Sequence, residues 1–156
     1  MNRSQSGATL IELCIALAIV AMISLLAVTD FRAEAPRRQL KEASLNLVGQ
    51  LRLARQRAIT EGKEMAIPPP AIRGMLPNDI SIGVAKGITK TPAGRPLDED
   101  DYDGISFLNN TPIFSPNGTV NKGAIYLKNS KNEGTAVTIN FTGRVRKYRW
   151  NGKDWK

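Results

Sequence analysis

The first 28 residues contain one long apolar segment, which a single carboxylate interrupts. Residues 8–28 carry no positive charge, and Glu12 lies near the start of this segment. A helix of that length extends about 31 Å at roughly 1.5 Å per residue, which matches the hydrocarbon thickness of a bilayer. The segment therefore predicts a membrane span. Glu12 is then a candidate functional residue, because a charge inside a span costs free energy and needs a partner.

Two other interpretations of this segment stay open. Glu12 could extend its carboxylate to the lipid headgroups, and the segment could be a cleaved secretory signal. A signal has a shorter apolar core of about 7–15 residues, with small residues at a cleavage site just beyond it. The only such site, AEA at residues 33–35, follows Asp30 and Arg32 and precedes Pro36. A span is the better interpretation of that arrangement.

The remaining 128 or so residues are long enough for one domain with a core. Apolar residues make up 42% and charged residues 23% of the chain, which indicates a globular domain. The chain has no histidine, and its one cysteine, Cys14, lies in the apolar segment. An intramolecular disulfide and a Cys/His metal site are therefore excluded. No motif of a catalytic triad, phosphate loop or dinucleotide site is found, so we expect a protein that is not an enzyme and has no cofactor.

Apolar periodicity predicts an α+β fold. An amphipathic helix is predicted after Pro36 and ends near Glu61, with Gly62 as a left-handed cap. The apolar stripe of this helix consists of Leu40, Leu47, Leu51, Ala54 and Ala58, and Leu45, Val48 and Ile59 widen it. The opposite face carries Arg52, Arg55 and Arg57, which indicates a solvated surface or a partner surface. Short β-rich runs then alternate with turn formers: EMAI, DISIGV, GISFL, AIYLKN, TAVTINF and RVRKYRW. We expect an antiparallel sheet packed on the amphipathic helix.

The segment GATLIEL, residues 7–13, resembles the processing site of type IV pilins and pseudopilins. The resemblance implies that a prepilin peptidase cuts between Gly7 and Ala8, that residues 1–7 are a leader, and that the new amine is methylated. It also implies that Glu12 faces the N-terminal amine of a neighbouring subunit in a filament. The chain departs from the usual pattern in having Ala8 where most members have phenylalanine, and in delaying proline to Pro36.

Three later motifs, LRLARQRAITEG, FSPNGT and INFTGRVR, are similar to those of type II secretion system protein H (GspH) and the FimT minor pilins. This resemblance implies a non-enzymatic subunit of a type II secretion pseudopilus or a type IV pilus. The resemblance also implies a single span in the bacterial inner membrane, with the head in the periplasm. The implied layout is a leader at 1–7, a span at 8–28, an amphipathic helix at 29–62 and a β-rich headgroup at 63–156. A secreted soluble basic protein with a cleaved signal is the alternative.

Positive charge is concentrated at the C-terminus. Residues 122–156 hold nine basic and two acidic side chains, out of 22 basic and 14 acidic in the chain. If GRVRKYRW is a regular strand, one of its faces carries Arg144, Arg146, Tyr148 and Trp150. Basic and aromatic residues together suit a phosphate backbone with stacked bases. The competing interpretation is a solvated edge strand whose charges discourage aggregation.

The pattern glycine, arginine, any residue, arginine resembles the segment linked to DNA uptake in FimT proteins. The resemblance extends to Gly143, Arg144 and Arg146, which are the candidate DNA-binding residues. Lys147 and Arg149 are added from residue type alone, as further sources of positive potential.

An acidic segment, LDEDDYDG at residues 97–104, raises the question of calcium. Glu99, Asp101, Asp103 and Gly104 have the spacing of the start of a calcium loop, but Asn110 stands where the bidentate glutamate should be. A solvated acidic loop, which could neutralise the basic tail of a neighbouring subunit, is the favoured interpretation. No metal site is therefore expected.

Overall fold

The computed structural model describes residues 9–156, and for residues 25–33 it describes only the backbone. Helix α1 runs from Leu10–Glu61. The chain divides into two compact units, residues 1–35 and residues 36–156, and α1 contributes to both. In the portions of the chain whose side chains are described, no helix combines the length and hydropathy that crossing a membrane requires.

Helix α1 begins with a capping arrangement. Thr9 immediately precedes the helix, and the Glu12 N–H donates to the Thr9 carbonyl oxygen at 3.0 Å and lies 3.4 Å from its Oγ1. Threonine followed three residues later by glutamate is the sequence of a capping box. A carboxylate in the first turn also interacts favourably with the helix dipole. Glu12 therefore has a local structural role in addition to any role in assembly.

In residues 36–156, α1 buries one stripe against the sheet. Leu47, Leu51 and Ala58 are fully buried, and Leu40, Ala54 and Val48 are nearly so. The structure confirms these members of the expected stripe. Leu45 and Ile59 were expected to widen it, but they are 50% and 40% exposed. They lie on its flanks, where the sheet does not cover them.

The headgroup contains six short strands and two short helices. Strands β2, β4, β5 and β6 form one antiparallel sheet in the order β2-β4-β5-β6, and β1 pairs with β3. The strands are β1 Met65–Ala66, β2 Ser81–Ile82, β3 Ile113–Phe114, β4 Gly123–Lys128, β5 Gly134–Ile139 and β6 Val145–Arg149. The short helices are α2 Pro69–Gly74 and α3 Glu99–Tyr102. Strand β6, which carries the basic motif, lies at an edge of the four-stranded sheet.

The α+β architecture agrees with the prediction, but three local expectations were wrong. The run GISFL does not form a strand, and Ile105 makes only an isolated bridge to Ile125. The acidic segment is exposed at Asp98, Glu99, Asp100 and Asp103, as expected, but it folds into α3 instead of a loop, and Asp101 is fully buried. The basic strand is shorter than expected, so Arg144 precedes it and Trp150 follows it.

Two apolar clusters cover the two faces of the larger sheet. The main cluster joins the buried stripe of α1 to residues of all four strands of that sheet, such as Ile125, Val137 and Val145. The smaller cluster lies on the other face, around Tyr126, and includes Trp155 from the C-terminal turn. Burial of Val145 in the main cluster fixes the register of β6 and hence the face of the sheet on which each of its side chains lies.

Candidate nucleic-acid interface

Two of the residues implied by the pilin resemblance, Gly7 and Ala8, lie outside the described residues. Glu12 lies in the first turn of α1, and its side chain is exposed in the single chain. An exposed carboxylate in an apolar helical segment is available to a partner subunit. The five residues of the basic motif, in contrast, all belong to the compact unit of residues 36–156 and can be placed in detail.

The three motifs of the later resemblance meet at one side chain. Arg55 of α1 donates from Nε to the Gly118 carbonyl oxygen at 3.0 Å and from Nη2 to the Thr142 carbonyl oxygen at 3.2 Å. Arg55 belongs to LRLARQRAITEG, Gly118 to FSPNGT and Thr142 to INFTGRVR. One guanidinium therefore holds two turns of the headgroup against the helix.

Gly143 is the glycine that this contact requires. Its φ of +75° lies in the left-handed region, which L side chains rarely adopt. A Cβ added there would lie 2.3 Å from Arg55 Nε and 2.6 Å from the Gly118 carbonyl oxygen. The same turn orients the next residue, because the Arg144 N–H donates to Asn140 Oδ1 at 2.8 Å. Gly143 is therefore a structural residue that presents Arg144, and it has no side chain to contact a ligand.

Side chains of β6 alternate between the two faces of the sheet. Val145 belongs to the core shared with α1, so Lys147 and Arg149 lie on that helix-facing side. Arg146 and Tyr148 lie on the opposite side, where an Arg146 Nη1 to Tyr148 Oη distance of 3.5 Å joins them. The expectation that Arg146 and Tyr148 share a face is thus confirmed. The basic residues of the motif are distributed over both faces of an edge strand.

A groove of about 880 Å³ lies between α1 and the segment that contains β6. Its lining includes five basic residues from both walls, Arg52, Arg55, Arg144, Arg146 and Lys147, and no acidic residue. Arg146 borders the groove, although its side chain lies on the opposite face of the sheet. The lining also includes the half-exposed Leu45 and the buried Val48 and Val145. Arg149 does not line the groove, although it lies close enough to affect Lys147.

The pKa of Lys147 is affected by other positive charges in this region. Partial burial, followed by the nearby charges of Lys41 and Arg149, lowers the pKa of the Lys147 ammonium. A lowered lysine pKa means that the charged form is held at a cost in the folded protein. An anion bound nearby would offset that cost. The groove, with five basic residues and no acidic residue in its lining, therefore has the charge expected of an anion site.

Carboxylates of the acidic segment make contacts within the headgroup. Within residues 9–156, as far as side chains are described, no group of three or more His, Cys, Asp or Glu residues could hold a metal ion. Asp101 is instead engaged by Arg95 Nη1 at 2.9 Å and by the Asp98 N–H at 3.2 Å. Asp103 accepts from the Ile105 N–H at 2.9 Å. The carboxylates that suggested calcium thus stabilise the turn itself.

Sequence reasoning missed the contribution of α1 to the groove. Arg52 and Arg55 were placed on a solvated or partner-binding helix face, without any connection to the basic strand. Their spacing of three residues on a helix does predict a common face. The separation of about 90 residues between that face and β6 left no local signal that the two would meet.

Comparison with known proteins agrees with the fold and with the motifs. The family model described as type II transport protein GspH matches residues 43–143, which include Arg55, Gly118 and Gly143. Two fimbrial proteins of Pseudomonas aeruginosa are each 29% identical over 136 residues, covering 85% of this chain and 83% of the relative. No solved structure matches the chain at a significant level. The family match spans more than half of the chain, and the chain therefore belongs to the GspH family of type IV pilin-like proteins.

Proposed function

We propose that this protein is a minor subunit of a membrane-rooted filament, either a type IV pilus or a type II secretion pseudopilus, and assembles through its N-terminal helix. The observation that carries the proposal is the family match over residues 43–143. The fimbrial relatives support the pilus, and the family description supports the secretion system. Secretion-system genes beside this one would favour the pseudopilus, whereas pilus assembly genes would favour the pilus.

The proposed assembly contact is an ion pair between Glu12 and the N-terminal amine of the next subunit. Such a pair is strong only where water is excluded. Residues 10, 11, 13 and 15 around Glu12 are exposed Leu or Ile in the single chain, so neighbouring apolar helices could provide the dry surroundings. In this proposal the apolar segment of residues 8–28 anchors the subunit in the inner membrane before it enters the filament.

Processing provides the direct test of the proposal. The full chain is co-expressed with a prepilin peptidase, and its N-terminus is determined by mass spectrometry. We expect Ala8 at the N-terminus, carrying a methyl group, and we expect a Gly7→Leu variant to remain uncut. An N-terminus at Pro36 in both proteins would instead identify a cleaved secretory signal.

DNA binding is a second proposed activity, and the basic groove is the observation that favours it. Arg144 and Arg146 are exposed and border the groove with Lys147. Contacts of two to four of these cations with phosphates would make log K fall with log salt at a slope of about −2 to −4 for duplex DNA. Little sequence preference is expected, because phosphate contacts position a protein without reading bases.

A charge-matched comparison tests this activity. An Arg144→Ala/Arg146→Ala variant and a Lys63→Ala/Lys153→Ala variant each lose two positive charges, and all four residues are exposed. Labelled duplex DNA is titrated with each full-length protein in a non-ionic detergent at several salt concentrations. We expect the arginine pair alone to reduce the slope by about two. Equal binding by both variants would assign the basic segment to solubility or subunit packing.

A further inference from the structure

We infer that the nucleic acid is held between two walls, and that helix α1 supplies the second wall through Arg52. The inference rests on the proposed DNA-binding activity and specifies how one phosphodiester strand lies on the protein. The strand would follow the groove between α1 and β6, with Arg52 on one side and Arg144 and Lys147 on the other.

The two arginines on this face of α1 have different roles. Arg55 uses its guanidinium for the carbonyl oxygens of Gly118 and Thr142. Arg52, one turn earlier, lines the same groove and is exposed. A guanidinium that already donates to two carbonyl oxygens is a poor phosphate ligand, whereas an exposed guanidinium can bind a phosphate with two hydrogen bonds. Arg52 is therefore the phosphate ligand from the helix, and Arg55 is a positioning residue.

The charges of the groove favour an anionic polymer over a single small anion. Its five basic lining residues are contributed by segments about 90 residues apart, and none of its lining residues is acidic. Lys41 lies near Lys147 and adds positive potential from the helix. Like charges held this close repel one another, and an array of phosphates along one strand would neutralise several of them together.

The apolar residues in the lining of the groove are a further reason to expect a nucleic acid strand there. Leu45 is 50% exposed and lies with Val48 among the basic residues of the groove. A sugar or base can cover such an apolar surface while its phosphates contact the arginines. An acidic protein segment could also enter, and the exposed Glu99 and Asp100 on α3 of a second copy are the natural example. That occupant would show itself as self-association, so the experiment can distinguish it.

The test compares two arginines of the same helix. Arg57 is also exposed on α1, but it does not line the groove. Arg52→Gln and Arg57→Gln therefore remove the same charge from the same helix. Binding of a labelled duplex to the full-length protein in non-ionic detergent is measured by fluorescence anisotropy over a range of salt concentrations, and sedimentation reports self-association. Circular dichroism checks that both variants keep their helix content.

We expect Arg52→Gln to raise Kd about five-fold and to reduce the salt slope by about one, and Arg57→Gln to change Kd less than about two-fold. Equal effects of the two substitutions would overturn the inference while leaving DNA binding by the basic segment in place, provided that Arg144→Ala/Arg146→Ala still reduces the salt slope by about two. A wild-type chain that binds no DNA would contradict both the inference and the DNA-binding activity. Salt-sensitive self-association that Arg52→Gln removes and that DNA does not displace would assign the groove to a second copy.

Discussion

Replacing Gly143 with alanine tests the contact network around Arg55. The added Cβ would meet Arg55 Nε at 2.3 Å, the Gly118 carbonyl oxygen at 2.6 Å and Arg55 Cδ at 2.7 Å, all shorter than real Cβ contacts. The residue would also have to hold a φ of +75°. Either Arg55 moves away from the two turns, or the turn that carries Gly143 changes its backbone. Both responses separate the basic segment from the helix.

The expected loss of stability has two parts. An L residue in the left-handed region costs about 1–2 kcal/mol. Displacing Arg55 loses two hydrogen bonds, and each contributes about 0.5–1 kcal/mol, because a half-exposed guanidinium regains water. Gly143→Ala should therefore lower the free energy of unfolding by about 2–4 kcal/mol, which is a large part of the ~5–15 kcal/mol typical of a domain.

The measurement is urea unfolding followed by tryptophan fluorescence. Both tryptophans of the chain, Trp150 and Trp155, pack against each other in the headgroup, with ring centroids 5.4 Å apart. Gly87→Ala is the matched control, because Gly87 has a φ of +86° and no atom within 4 Å of the added Cβ. The control carries the backbone cost alone, about 1–2 kcal/mol. Gly143→Ala should exceed it by the cost of displacing Arg55.

A double-mutant cycle isolates that excess. Arg55→Ala removes the side chain that the new Cβ would contact. Gly143→Ala should therefore lower the free energy of unfolding less in the Arg55→Ala variant than in the wild type. We expect the double variant to be more stable than the sum of the single effects predicts by about 1–2 kcal/mol. If the two effects add within about 0.5 kcal/mol, or if Gly143→Ala costs no more than Gly87→Ala, Arg55 does not hold these turns in solution.

Three further outcomes are expected. Glu12→Ala should leave membrane insertion intact while weakening incorporation into filaments, and normal co-purification of the variant with the filament would contradict the assembly contact. Asp101→Asn should lower the free energy of unfolding in urea by about 1–3 kcal/mol, because Asp101 is fully buried and paired with Arg95. Asp100→Asn is the control at an exposed position and should change stability by less than about 0.5 kcal/mol. Burial, and then the adjacent Asp101 carboxylate, raise the pKa of Tyr126 in the folded protein. The contribution of Tyr126 to stability is therefore complete below about pH 10 and should be lost as the pH rises further. Unfolding measured at alkaline pH should show a weaker loss of stability for Tyr126→Phe than for the wild type.

Regular periodicity made the main elements of the headgroup predictable from sequence. The stripe that includes Leu47 and Leu51 repeats at helical spacing, and the runs that became β4 and β5 are rich in β-branched residues. The two residues of β3 and the six of α2, which are fewer than two helical turns, are too few to show a period. Their formation depends on pairing and packing with distant segments. The Ile67 N–H, for example, donates to the Pro112 carbonyl oxygen at 3.0 Å.

The sequence predicts the basic residues on one wall of the groove but does not connect them with Arg52 and Arg55 on the other wall. The motif GRVR marked Arg144 and Arg146 because both lie in one short segment. The burial of Asp101 could not be predicted from the sequence, since the acidic segment has the composition of a solvated loop. Only the structure places Arg95 and Tyr126 Oη around its carboxylate, at 2.9 and 3.4 Å. A charge count along the chain cannot separate such a buried, paired carboxylate from an exposed one.

Arg55 on the helix and Gly143 in the last turn depend on each other in this structure. Arg55 can reach the Gly118 and Thr142 carbonyl oxygens only if residue 143 has no Cβ, so the glycine and the arginine form one structural unit. That unit fixes the position of Arg144 relative to α1, and with it the width of the groove that Arg52 lines. We therefore expect a change in this turn to weaken the proposed DNA binding even though it removes no charge. It follows that loss of DNA binding in a Gly143 variant would report the geometry of the groove, whereas loss in an Arg52 variant would report a contact.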